Sequence, residues 1–578
     1  MHVEAALRAA EDEVLKFAFQ IGLHLEELQA EHLGVGNQWV GPTVPDFDCL
    51  VDELLGLGSL LGDGVDGAFE DVAFTTSHGA GCQWGDGTPD TTKPIAPAIP
   101  SWFRCRVLSI TCAVAMSLSI VSLVAGCTGN VAPVNAPTPG NTVVETAELP
   151  PPTWLAAYGN HKHEAMYVTD LVLSRDGESA FVSGDVAAGR PACPSDFVTV
   201  AYDTTDGTTR WAATYDGPAH FCDDVHATAL SPDGSTLFVT GSAYGPSNAG
   251  GSDSDITTVA YDTSDGTELW VARQDGPISG QDNGVDVVST GRMVFVTGDE
   301  MTGCDPGASS TCYSRMTTIA YDATSGKPRW LARYAVDGSS IFPGQILASA
   351  GGEEVFVIGI EQPRGTMTTI AYTASTGAER WVGHDRDLSA TYVIGNQFAD
   401  WAGISADGRT LFVAGSVGGF RHGVAAYATK DGVKLWTLET SRSSWSWPMI
   451  VPSPMSDIVF LADQNHDDYL ITGIDAATGR ELWRSTYDEA GRDDYPIEMA
   501  VPADGSRVFV TGFPAIYCPR CPASATIALD AVDGRRVWAH AAEYGAADIA
   551  AGADGSPVYL AATSRRGFLT FRFDPSAP

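Results

Sequence analysis

One phrase occurs seven times in the second two thirds of the chain. It reads VAYDTTDGTTRW at 200–211, VAYDTSDGTELW at 259–270 and IAYDATSGKPRW at 319–330, and weaker copies end at Trp381, Trp436, Trp483 and Trp538. The closing tryptophans Trp211, Trp270, Trp330, Trp381, Trp436, Trp483 and Trp538 are 59, 60, 51, 55, 47 and 55 residues apart. A repeat near fifty residues cannot bury a core alone, so neighbouring copies must stack. Upstream of each phrase lies a second one, such as LSPDGSTLFVTGSA at 230–243. Each copy then reads as four short strands. In the second they are HATAL, TLFVTGS, ITTVAYD and TELWVAR, joined by tight Pro-Asp-Gly and Thr-Ser-Asp-Gly turns. Four-stranded units repeated radially make a β-propeller, with the repeated tryptophan packed between units.

Seven full units run from about 167 to 543, and residues 549–574 supply three more strands without a closing tryptophan. The missing strand stands at the front. Thr153-Trp154-Leu155-Ala156-Ala157-Tyr158-Gly159 matches Arg210-Trp211-Ala212-Ala213-Thr214-Tyr215-Asp216. The expectation is an all-β, eight-bladed propeller over 153–578, with its last blade completed by the N-terminal strand and no sheet edge left open at the seam.

The phrase A-Y-D-x-x-x-G-x-x-x-W resembles the tryptophan-docking motif of the pyrroloquinoline-quinone (PQQ)-like repeat, whose members are eight-bladed propellers. The resemblance covers 153–578. It implies two functional classes. One is a quinone-dependent dehydrogenase of alcohols or sugars, holding PQQ through Ca²⁺; the other is a non-enzymatic lipoprotein scaffold of the kind found in the outer-membrane barrel assembly machine. Many members of the first class carry an adjacent cysteine pair, and this chain has no Cys-Cys dipeptide.

Upstream, residues 107–126 (VLSITCAVAMSLSIVSLVAG) are uncharged and follow Arg104 and Arg106. A basic start and an apolar run ending in small residues describe an export signal. Val124-Ala125-Gly126-Cys127 resembles a bacterial lipobox, making Cys127 the lipidation site. Residues 104–127 are thus a lipoprotein signal or, uncleaved, a single-span anchor of just sufficient length. Residues 128–152 are a Pro- and Thr-rich tether. Residues 1–103, helix-patterned over 3–33 and irregular afterwards, are an N-terminal extension or the product of a misplaced start. In either case everything after 127 faces outside the cytoplasm.

Asp and Glu number 72 against 33 Lys and Arg, a net charge of −39 that excludes nucleic acid as partner and leaves the acyl anchor as the membrane attachment. The strand order places short turns on one face and long loops on the other. Cys193, Cys222, Cys304, Cys312, Cys518 and Cys521 all fall on the loop face, as expected for disulfides in an exported segment: 193–222, 304–312 and 518–521. Cys518-Pro-Arg-Cys521 has redox spacing but lacks the helix N-terminus that lowers a thiol pKa. The loop face is the expected docking surface for a protein or glycan at the cell surface.

Aligned on the turn glycines, the first strands put Asp170, Gln345, Glu498 and Asp548 at one level of the channel, with Asp400 one residue earlier. Glu498, Asp548 and Asp170 belong to consecutive blades. They form a candidate Ca²⁺ or general-base site, set against a plainly solvated acidic mouth. Asp463-Gln-Asn465-His-Asp467 has the oxygen spacing of a calcium loop without its glycine, and His161, His163, His220, Trp445 and Trp447 lie in loop-face segments. No hydrolase, phosphate-loop or zinc-protease signature occurs. Three readings remain: a lipid-anchored binding or scaffold module, a PQQ- and calcium-dependent dehydrogenase, and a degenerate propeller whose central channel is plugged by side chains.

Overall fold

The computed structural model describes residues 147–148, 151–159, 166–187, 195–245, 253–278, 280–304, 312–389, 402–417, 421–442, 448–465, 468–488, 494–514, 524–542, 545–564 and 567–574. The helical pattern of 3–33, the apolar run at 107–126, Cys127, most of the tether, Asp400, Asp467, Cys193, Cys518, Cys521, His161, His163, Trp445 and Trp447 lie outside these residues. Every regular element among the described residues is a β-strand.

The strands form five four-stranded sheets, one five-stranded sheet and one eight-stranded sheet in which two four-stranded units are joined. The second unit shows the design. Its strands Asp223–Leu230, Thr236–Tyr244, Ser254–Asp262 and Glu268–Gln274 pair antiparallel in chain order. The two middle strands are buried along nearly their whole length, because sheets pack on both of their faces. Their threonines satisfy one another there: Thr240 Oγ1 and Thr258 Oγ1 lie 3.1 Å apart. The outer strand is exposed at Glu268 and Leu269, then buries Trp270.

That tryptophan explains the repeated phrase. Indole Nε1 of Trp154, Trp211, Trp270, Trp330, Trp381, Trp436 and Trp483 donates to a carbonyl at the third-to-fourth-strand turn of the next unit, at 2.7–3.2 Å. The same turn lays its glycine flat on the ring. Gly266 has φ +73°, and a Cβ there would lie 2.6 Å from the Trp211 indole. Glycine is therefore required twice, by backbone conformation and by contact. Gly266→Ala is expected to cost about 1–2 kcal/mol from the backbone alone, and more from lifting the ring. Gly177→Ala, at φ +73° with nothing within 4 Å of the added carbon, isolates the backbone part. Equal losses of stability in the two variants, measured by urea unfolding, would remove the docking contribution.

At the ends of the chain, strand Trp154–Tyr158 pairs antiparallel with the last strand, Gly567–Phe573, in the register Trp154↔Arg572 to Tyr158↔Phe568. The two-residue strand Ala147–Glu148 runs parallel to Trp538–Ala539 as the fifth strand of its sheet.

Candidate functional site

The first strands of six units line a cavity of about 290 Å³. Six of these strands carry a β-bulge at the same place, with register shifts between Val168 and Asp170, Val225 and Ala227, Gly284 and Asp286, Pro343 and Gln345, Pro496 and Glu498, and Ala546 and Asp548. The bulge re-aims the residue that follows it. Asp170, Asp286, Gln345, Glu498 and Asp548 all line the cavity, with His226 contributed by the second unit.

Asp170, Glu498 and Asp548 are thus brought together, and Gln345 lies at their level. Asp286 shares this level and was not in the turn-anchored set. The first turn of its unit is two residues shorter, Asp286 preceding Gly291 by five positions where Asp170 precedes Gly177 by seven. Counting back from the glycine therefore lands on Gly284.

These side chains already have structural work. The Thr228 N–H donates to Asp170 Oδ2 at 2.7 Å, Ile346 N–H to Asp286 Oδ2 at 2.8 Å and Ala402 N–H to Gln345 Oε1 at 2.8 Å. The Leu171 N–H donates likewise to Asp548. Each acceptor comes from one unit and each donor from the inner edge of the next, where no further strand pairs the backbone. Burial pushes the Asp170 and Asp548 carboxyls up; the Glu498 and Asp170 charges add to the rise at Asp548, while its hydrogen bond with Asp548 restrains Asp170.

A second acidic motif was missed in the sequence. Carboxylate oxygens of Asp196, Asp216 and Asp223 lie within 4.8 Å of one another, as do those of Asp253, Asp255 and Asp275, and of Asp468, Asp488 and Asp494. Within the first cluster the buried Asp223 ties loop to strand, accepting from the Gly217 N–H and, at 3.1 Å, from the Tyr244 N–H. Asp282 does the same one unit later with Gly276 and Met301. A Cβ on Gly217 or Gly276 would strike these carboxylates at 2.7 and 2.5 Å. The signal was the twice-occurring Asp-Gly-Pro at 216–218 and 275–277. Burial pushes Asp223 and Asp282 up to about 7.

The remaining candidates separate. Asp463 is buried, accepts the Gln464 N–H at 2.7 Å and lies 2.5 Å from His422 Nδ1, so it is held inside the sheet and does not open a calcium loop. His220 sits at φ 51° beside Asp216 at 2.7 Å. Cys304 and Cys312 form a disulfide across paired strands, and Cys222 is disulfide-bonded to a cysteine outside the described residues.

A calcium-held quinone fits this channel poorly. Among the described residues, the acidic clusters that converge within 4.8 Å do not include Asp170, Glu498 and Asp548. Asp170 and Asp548 moreover hold backbone N–H groups of neighbouring strands.

A family model described as outer membrane protein assembly factor BamB matches residues 259–444 and 420–567. Among solved structures, BamB from Moraxella catarrhalis is similar at 13% identity and a TM-score of 0.43, over 73% of this chain and 99% of that one. Quinohemoprotein alcohol dehydrogenase from Comamonas testosteroni is similar at 13% identity and a TM-score of 0.47, over 73% of this chain and 77% of that one. No curated protein matches the chain.

Proposed function

The chain belongs to the PQQ-like repeat β-propeller family, and on that premise we propose that it is an eight-bladed ring acting outside the cytoplasm as a non-enzymatic binding or scaffold module. The ring reading is supported by the ends: Trp154 donates to the Thr204 carbonyl of the first full unit, as Trp211, Trp270, Trp330, Trp381, Trp436 and Trp483 do to the units that follow them. The first strands also touch in succession, and that of the last unit, Gly545–Ala551, touches that of the first, Met166–Leu173. Lipid anchoring through Cys127 and the tether 128–152 give the module its place at the membrane and its reach.

One observation carries the non-enzymatic reading. Two of the three candidate carboxyls, Asp170 and Asp548, hold neighbouring inner strands together, as do Asp286 and Gln345 at the same level. Binding then falls to the loop face, with a protein as the partner. A photo-crosslinking residue placed at His220 on the loop face is expected to trap one discrete envelope protein, and the same residue at Asp206 on the turn face is expected to trap none. The quinone reading is tested in parallel by adding PQQ, Ca²⁺, an alcohol or sugar and an electron-accepting dye. Stoichiometric quinone binding with dye reduction would replace the scaffold reading with the dehydrogenase.

A further inference from the structure

We propose that one sector of the turn face, in the fifth to seventh units, rests on the lipid surface to which Cys127 tethers the protein; the inference deepens the anchored-module reading and rests on it. Five of the eight large apolar side chains exposed among the described residues fall here, at the turn ends of three consecutive units. They are Val433 (56% exposed) and Leu435 in the fifth, Met455 (69%) and Leu482 in the sixth, and Val532 (77%) in the seventh. Single exposed apolar residues are ordinary, but these follow one arc. Trp436, next to Leu435, donates to the Ala476 carbonyl at 3.0 Å, and Trp483, next to Leu482, donates to the Ala531 carbonyl at 3.2 Å. Each outer strand is thereby pinned to the turn of the following unit. In the first, third and fourth units, the place of Leu435 and Leu482 is taken by Arg210, Arg329 and Arg380, each ion-paired with a carboxylate of its own unit.

Charge selects the same sector. Its turns between third and fourth strands, at 429–433, 476–480 and 531–535, carry exposed Lys430, Arg480 and Arg535 against Asp431 and Asp533. The equivalent turns of the first two units, 204–208 and 263–267, carry only Asp206 and Asp265. On a chain of net charge −39, these three turns lean positive, which suits anionic headgroups that repel the rest of the protein. The tether arrives at the same place. Ala147–Glu148 runs parallel to Trp538–Ala539, and that outer strand, Arg536–Ala542, leads away from the turn 531–535. The chain therefore reaches Ala147 from the turn end of the unit that carries Val532 and Arg535. Cys127 stands 20 residues earlier, a stretch that spans at most about 70 Å. Tethering at that range gives the sector an effective concentration on the order of millimolar at the lipid surface, so side chains too few to bind a membrane alone suffice to orient the propeller on it. The loop face is then turned away from the bilayer.

The test places the full-length protein, purified with its acyl anchor, on vesicles of phosphatidylethanolamine and phosphatidylglycerol that contain a photoactivatable lipid, and maps the labelled residues by mass spectrometry. Labelling is expected to concentrate in 429–435, 453–457, 476–483 and 531–535, and to spare the turns 204–208 and 263–267. Met455→Glu combined with Val532→Glu is expected to lower labelling of the sector about fivefold. Because both side chains are exposed, that variant should melt as the parent does and stay on the vesicles through Cys127. Retention with labelling spread evenly around the turn face, centred on other units, or unchanged in the double variant overturns the proposal and leaves the anchor standing. An unacylated Cys127, or loss of the parent protein from the vesicles, overturns anchor and proposal together. A photo-crosslinking residue at Val532 that traps a protein in whole cells, with no lipid adduct, assigns the sector to a protein partner and also overturns the proposal.

Discussion

Deletion of residues 151–159 will leave a protein that melts earlier and over a broader range than the parent, and Trp154→Ala will reproduce much of the loss. Trp154 is 8% exposed, packs beside Tyr559 and lies under Gly207, whose added Cβ would come within 2.7 Å of the indole. Truncating a buried tryptophan costs about 3–5 kcal/mol. The deletion also removes the five paired residues that cover the edge of Gly567–Phe573, exposing a free strand. Trp483→Ala, which truncates an internal copy of the same contact, is the control. Calorimetric melting should show Trp154→Ala losing about as much as Trp483→Ala. An unchanged, cooperative melt after the deletion would mean that the leading strand is an ornament on a ring already complete.

The second large effect is a gain in stability as pH falls. Asp223, Asp282 and Asp299 are held near 7 by burial, against 3.8 for the free side chain, and burial also raises Asp170, Asp185 and Asp548. Between those values the folded protein keeps protons that the unfolded chain has lost, so the free energy of unfolding declines with rising pH. The contribution is fullest below about pH 4, is lost as pH rises toward 7, and changes no further above it. At about 1.4 kcal/mol per pH unit for each group, the sum over several groups is several kcal/mol. The net charge of −39 acts in the same direction, because added negative charge repels itself. The melting temperature at pH 5 should therefore exceed that at pH 8 by several degrees, and Asp223→Asn should flatten part of the slope. A melting temperature that is level, or that rises with pH, would contradict this assignment of buried protons.

The tryptophan and glycine of the repeat were legible because their contact is local to one unit and its successor, and so recurs at a fixed spacing. The four strands were legible for the same reason, as alternation and turn residues are short-range signals. Asp286 was hidden by a turn two residues shorter than its counterparts, and the aspartate clusters were hidden by distance. Asp196, Asp216 and Asp223 come from three different strand ends spread over 28 residues. The latching role of Asp170 and Asp548 was beyond reach for another reason. It depends on which backbone N–H groups the neighbouring unit leaves unpaired, and a bulge decides that, which no residue type announces.

The pairing of Trp154–Tyr158 with Gly567–Phe573 also sets how the protein bears load. Tension arriving through the chain ahead of residue 151 pulls on the Trp154 end. The partner strand is held to its own sheet along its whole length, from Gly567↔Ser564 to Phe573↔Val558. Force then runs along the strands, so the hydrogen bonds resist together in shear and are not peeled one after another. A protein leashed by its leading segment would be pulled along its most resistant direction, and drag on the leash would tighten the indole against its glycine before parting it.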